Sequence, residues 1–162
     1  MKPSYATLKN NHYTSNSIKS GYVSGEALYK ELGYDHAKLI KQDAGFVNTC
    51  ATRMSLALLK SGVHFHGRMK IKAGKYKDRM FEPGAKLLAD QLAKSHDFGK
   101  PQIYKGMDAP AKLAGKKGLV FFWKIADYNG GHIDVIESTT SIQVCNSGCY
   151  FNSKEVWFWP LD

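Results

Sequence analysis

No stretch of this 162-residue chain approaches the roughly 20 apolar residues that cross a bilayer as a helix, so no membrane-inserted helix is expected. Its opening, MKPSYATLKNNHYTSNS, lacks the apolar core and small-residue cleavage site of a Sec signal peptide. Synthesis in the cytoplasm and export by some other route are the expectation. There is no internal repeat, low-complexity block or linker, which predicts a single domain over 1–162. Acidic residues are scarce, 14 against 23 basic, leaving a net charge of +9. Much of the excess is local: Lys70, Lys72, Lys75, Lys77 and Arg79 all fall in MKIKAGKYKDR. That run reads as a solvated loop, or as a surface for an anionic polymer such as cell wall. No zinc-finger spacing, RNP-type motif or helix-turn-helix signature accompanies the charge, so nucleic acid is not the expected partner.

Cysteine is also sparse, with three residues, Cys50, Cys145 and Cys149. The last two form CNSGC, where Gly148 permits a tight turn and a local disulfide is feasible. A zinc site there would need two further ligands. One bridge and one free thiol is the natural division, and it implies an oxidising place of work.

What the chain does contain is ordered in two textures. SGEALYKELG reads as a helix capped by Ser24 and stopped by Gly33. NTCATRMSLALLKSG reads as a helix that starts at Asn48 or Thr49, ends at Gly62, and is nearly apolar all round. In that helix only Arg53, Ser55 and Lys60 are expected to seek water. EPGAKLLADQLAKSHDFG gives a third helix with Pro83 in its first turn, and DAPAKLAGKKG a short fourth. Then GLVFFWKI, GHIDVIE, SIQVCN and EVWFWP follow as β-branched or aromatic runs separated by turn residues. Helices first and an antiparallel sheet afterwards predict an α+β fold.

Cys50 stands at the head of the apolar helix. Unpaired N–H groups and the helix dipole there favour a thiolate, and the same groups can hold an oxyanion. Asn48 and Thr49 are therefore candidate oxyanion or substrate-binding residues. On the helix alone, a cysteine serving as a small core hydrophobe reads equally well. Of the six histidines, His132 opens a strand after DYNGG, and a base at a strand start facing a nucleophile on a helix is the cysteine-hydrolase arrangement. His64 and His66, in VHFHGR, have no nearby carboxylate and read as surface residues. Folding GHIDVIESTTSIQVCNSGC about ESTT brings residues 143–147 near His132. Asn146 is the expected orienting residue, with Ser147 and Gln143 behind it. Asp134 shares a strand face with His132, and is expected to point deeper or to substrate.

With these residues identified, the chain resembles the fourth family of type VI secretion amidase effectors, which are papain-like, NlpC-type cysteine peptidases injected into rival bacteria. The resemblance rests on NTCATRMSLALLKSG, GGHIDVI and CNSGCYF, and covers essentially the whole length. It implies hydrolysis of the bond between D-glutamate and meso-diaminopimelate in peptidoglycan stem peptides, with Cys50 as nucleophile and His132 as general base. It also implies delivery by the type VI machinery, action in the periplasm of the target cell, and a cognate periplasmic immunity protein that plugs the cleft. Neither cofactor nor metal is expected. The family typically places an aspartate near the cysteine pair, and QVCNSGC has none. An amide or hydroxyl is expected to serve, or a dyad. The rival readings are a non-enzymatic basic domain that binds cell wall or nucleic acid, and a papain-like acyltransferase using the same Cys and His.

Overall fold

A computed structural model describes all residues, 1–162. In chain order the helices are α1 (Tyr5–Asn11), α2 (Gly25–Leu32), α3 (His36–Gln42), α4 (Cys50–Lys60), α5 (Ala85–Lys94) and α6 (Ala109–Leu113). The strands are β1 (Met69–Lys70), β2 (Met80–Phe81), β3 (Gln102–Lys105), β4 (Lys117–Ile125), β5 (Gly131–Ser138), β6 (Gln143–Cys145) and β7 (Ser153–Pro160). The last five form one antiparallel sheet in the order β3-β7-β4-β5-β6, and β1 pairs with β2 in a separate ribbon.

Local chemistry accounts for most element ends. Ser24 and Asp35 accept N–H groups of the first turns of α2 and α3, and Gly33 closes α2 in the left-handed conformation, φ 90°. Pro83 does not sit in the first turn of α5. It precedes the Gly84 cap. The alternation of β4 sends Leu119 and Phe121 to one face, against α1, α4 and α5, and Val120 and Phe122 to the other, with Leu113 of α6 and Cys145 of β6.

α4 is enclosed on both sides. Ala51, Met54, Ala57 and Leu58 pack towards the sheet, while Leu56 and Leu59 meet α2, α3 and Phe81 of β2. Each fully buried Leu or Met contributes roughly 1.5–3 kcal/mol relative to exposure. Arg53 and Ser55, expected to seek water, are buried instead. Arg53 Nε donates to Thr49 Oγ1, and its Nη1 to the carbonyls of Thr14 and Val23. Ser55 Oγ donates to the Glu82 carbonyl and accepts the Glu82 N–H. A buried cation is tolerable when its donors are spent on backbone oxygens, and here those bonds tie the central helix to the segment before α2.

Candidate active site

Cys50 is the first residue of α4, nearly buried and unbridged. The Thr49 side chain does not cap the helix, because its hydroxyl is taken by Arg53. Asn48 fills that role: its Oδ1 accepts the Cys50 N–H at 3.1 Å. Its Nδ2 donates to the Tyr128 hydroxyl at 2.7 Å and to the Gly131 carbonyl at 3.4 Å. The Cys50 Sγ lies 4.0 Å from the same carbonyl. Gly131 is required for this approach, since a Cβ there would sit 2.6 Å from the Phe121 ring.

His132 follows at once on β5, with its ring stacked on Phe122 and edged by Tyr150. Its Nε2 is 2.9 Å from Asp134 Oδ2, which leaves Nδ1 for the thiol. Asp134 is fully buried. Its Oδ2 also accepts the N–H groups of Ser147, at 2.8 Å, and Gly148, at 3.1 Å, and its Oδ1 accepts that of Val135. Burial alone would raise the Asp134 pKa, but the hydrogen bond and charge of His132, with smaller help from His12 and the Ser147 N–H, lower it. Burial would likewise lower His132, and the hydrogen bonds of Asp134 and Cys50 overcome it, raising the imidazole to about 10.

Two assignments made from sequence are corrected here. Asn146 does not reach His132: its Nδ2 donates to His12 Nδ1 at 2.7 Å and to the His12 carbonyl at 3.3 Å. Of the alternatives, Gln143 donates to the Pro110 carbonyl, and Ser147 contributes its backbone N–H to the carboxylate rather than its hydroxyl to the imidazole. Asp134 takes the deeper of its two expected placements and does not face substrate, because no part of it is exposed. The carboxylate lacking from CNSGC is nevertheless beside that loop, and it arrives from β5. An H-x-D pair on one strand face was the signal for it. The Cys145–Cys149 bridge is present, with Cα atoms 5.3 Å apart.

Cys50 and His132 line an open cleft of about 840 Å³ together with Ser15, Asn48, Thr49, Tyr128 and Tyr150. Its one carboxylate is Asp127, exposed and without an ion-pair partner. A second cavity, of about 490 Å³, lies between α2, α4 and the basic loop and contains Glu31, Lys60 and Lys75 but no thiol or imidazole. His64, His66 and the basic side chains from Lys70 to Arg79 are exposed.

Thiol, imidazole and carboxylate thus stand in sequence from the head of α4 to β5. Residues 46–159 match the family model of type VI secretion system amidase effector protein 4, Tae4. The chain belongs to that family. As a Tae4 family member it is an amidase effector and a hydrolase. Solved Tae4 structures share its fold. The effector from Salmonella typhimurium, crystallised with the immunity protein Tai4 from Enterobacter cloacae, is 20% identical with a TM-score of 0.71, covering 99% of this chain and 100% of that one. Tae4 from Enterobacter cloacae is 22% identical with a TM-score of 0.67, covering 100% and 98%. Its complex with Tai4 gives 19% and 0.64, covering 100% of both chains. A search of curated proteins gives no match. The α+β arrangement expected for a papain-like, NlpC-type Tae4 chain is therefore the one found, with helices packed on a five-stranded antiparallel sheet.

Proposed function

We propose that this Tae4 effector hydrolyses the amide between D-glutamate and meso-diaminopimelate in peptidoglycan stem peptides. The supporting observation is the 2.9 Å contact of Asp134 with His132 at the edge of a cleft whose floor is Cys50. His132 holds the Cys50 proton as the imidazolium partner of the thiolate, and the thiolate attacks the glutamyl carbonyl. The resulting oxyanion needs donors at the head of α4. The Cys50 N–H and the Asn48 amide are the ones at hand, and Asn48 must rotate from its present bond to free the former. His132 then protonates the leaving amine, and a thioester remains. Water, deprotonated by His132, releases the D-glutamyl carboxylate and restores the thiol. Asp134 holds the imidazole in one orientation and stabilises its cation. Asp127 is suited to the ammonium group on diaminopimelate.

The type VI machinery delivers the effector to the periplasm of a target cell, and a cognate periplasmic immunity protein covers the cleft. The Tae4–Tai4 complexes support that partner. The test is mass spectrometry of purified muropeptides after incubation with the protein. Fragments ending in D-glutamate, absent with Cys50→Ala, are expected. Cleavage of glycan instead of peptide overturns the reading.

A further inference from the structure

Asp134 is held from behind by a loop whose last backbone bond to β5 is that of the Asn146 N–H to the Val135 carbonyl, and beyond it the loop is held by the N-terminal segment. The Asn146 side chain donates to the ring and the carbonyl of His12. The Thr14 hydroxyl donates to the Asn146 carbonyl at 2.6 Å, the Ser15 N–H to Ser147 Oγ at 3.0 Å, and Lys19 Nζ to the Cys145 carbonyl at 2.8 Å. Arg53 of α4 anchors the same segment through the Thr14 and Val23 carbonyls. The contacts form a ring: from the helix that carries Cys50, through Arg53 and residues 12–19, to the loop that grips Asp134, and back to His132.

His12 is the unusual member of this ring. It is almost completely buried, and its Nε2 has no hydrogen-bond partner. Because Nδ1 accepts from Asn146, the ring proton sits on that orphaned Nε2. Leaving a buried donor unpaired costs about 1–3 kcal/mol. An apolar residue would avoid this cost but leave the Asn146 amide short of an acceptor. We propose that His12 is a positioning residue for catalysis, acting through Asn146 to fix the Ser147 and Gly148 N–H groups on Asp134 and thereby the base. The inference rests on Asp134 being the orienting carboxylate.

The charged groups around His12 are Asp134 and His132 of β5, Arg53 of α4 and Lys9 of α1. Those around His132 are Asp134, Cys50, His12 and, at its edge, Tyr150. Burial holds His12 down to about 4, so it stays neutral and able to accept across the working range. Protonated, it could no longer accept from Asn146.

The decisive readout is the titration of the His132 ring, followed by NMR of its Cε1–H, which does not depend on any substrate. Replacing His12→Leu should lower that midpoint by about one pH unit or more and reduce kcat roughly tenfold with KM little changed. His12→Gln, whose carbonyl can accept the Asn146 amide, should restore both. If His12→Leu does not fold, Thr14→Val serves, matching the shape of the side chain while deleting its bond to the loop, with a midpoint shift in the same direction expected. An unmoved His132 midpoint in a folded variant overturns the proposal, even if kcat falls. Should the wild type fail to cut muropeptides, the titration still decides whether the segment positions the base.

Discussion

Asp134 accepts hydrogen bonds from an imidazole and three backbone N–H groups, and this saturation distinguishes it from an ordinary buried acid. Asp134→Asn places an NH₂ group against donors and permits the wrong imidazole tautomer. A fall in kcat of about 10²–10⁴ is expected, read in steady-state kinetics on muropeptides. Since Asp134 helps to hold the His132 proton up to about 10, the alkaline limb of kcat/KM should move to lower pH in this variant. His12 gives a second, opposite dependence. Its folded pKa, about 4, lies below the unfolded value of about 6.5. The unfolded chain therefore binds a proton first as pH falls. Stability present above pH 6.5 should decline by on the order of 3 kcal/mol as pH approaches 4. Urea denaturation at pH 7 and pH 4.5 should show a smaller loss for His12→Gln than for the wild type. Equal losses would remove His12 as the source.

At the scale of elements, α4 carries Cys50, β5 carries His132, and the 145–149 loop grips Asp134. A bridge closing so short a loop gives only about 2 kcal/mol by restricting the unfolded chain. Its position matters more, since Ser147 and Gly148 lie inside it and both bind Asp134. Reduction should therefore depress the hydrolysis rate several-fold while shifting Tm by only a few degrees. Unchanged kinetics with a large loss of Tm would assign the bridge to stability alone. Thiol titration of the denatured protein should find one free group before reduction and three after it.

For the whole molecule, the proposed chemistry and its place of action are joined. In the proposed mechanism a cysteine, an imidazole and a carboxylate generate the nucleophile without a metal, so chelators should leave the rate unchanged and iodoacetamide should abolish it. Directed to the periplasm by an added signal peptide, the wild type should lyse cells and Cys50→Ala should not. A co-expressed immunity protein should rescue them. Lysis by both forms would detach toxicity from the thiol and favour a binding function. The net charge of +9 should add a salt-sensitive affinity for anionic wall, lost above physiological ionic strength.

The sequence by itself determined the features set within one turn or one strand. Gly33 ends α2 because the left-handed position is its own. Cys50 heads α4 because the apolar run begins there, and His132 stands second in β5, directly after Gly131, because glycines precede the alternation. The cysteine pair was legible for the same reason, its spacing being local. The short α1 and α3 were also within reach through their Ser4 and Asp35 caps, although neither has a long apolar stripe. β3 was not, since it is a four-residue edge strand with mostly exposed side chains, aligned only by its pairing with β7. The tertiary structure alone decided which residue bonds to the His132 imidazole. Strand parity made Asp134 available, and hairpin proximity made Asn146 equally so. The choice fell to Asp134 because two loop N–H groups, 13 and 14 residues further along the chain, needed its carboxylate. Asn146 was claimed by His12 from the opposite end of the chain, at a separation of 134 residues. Hydrogen-bond demand on a buried group is settled by whatever the fold brings beside it, and no local pattern carries that information.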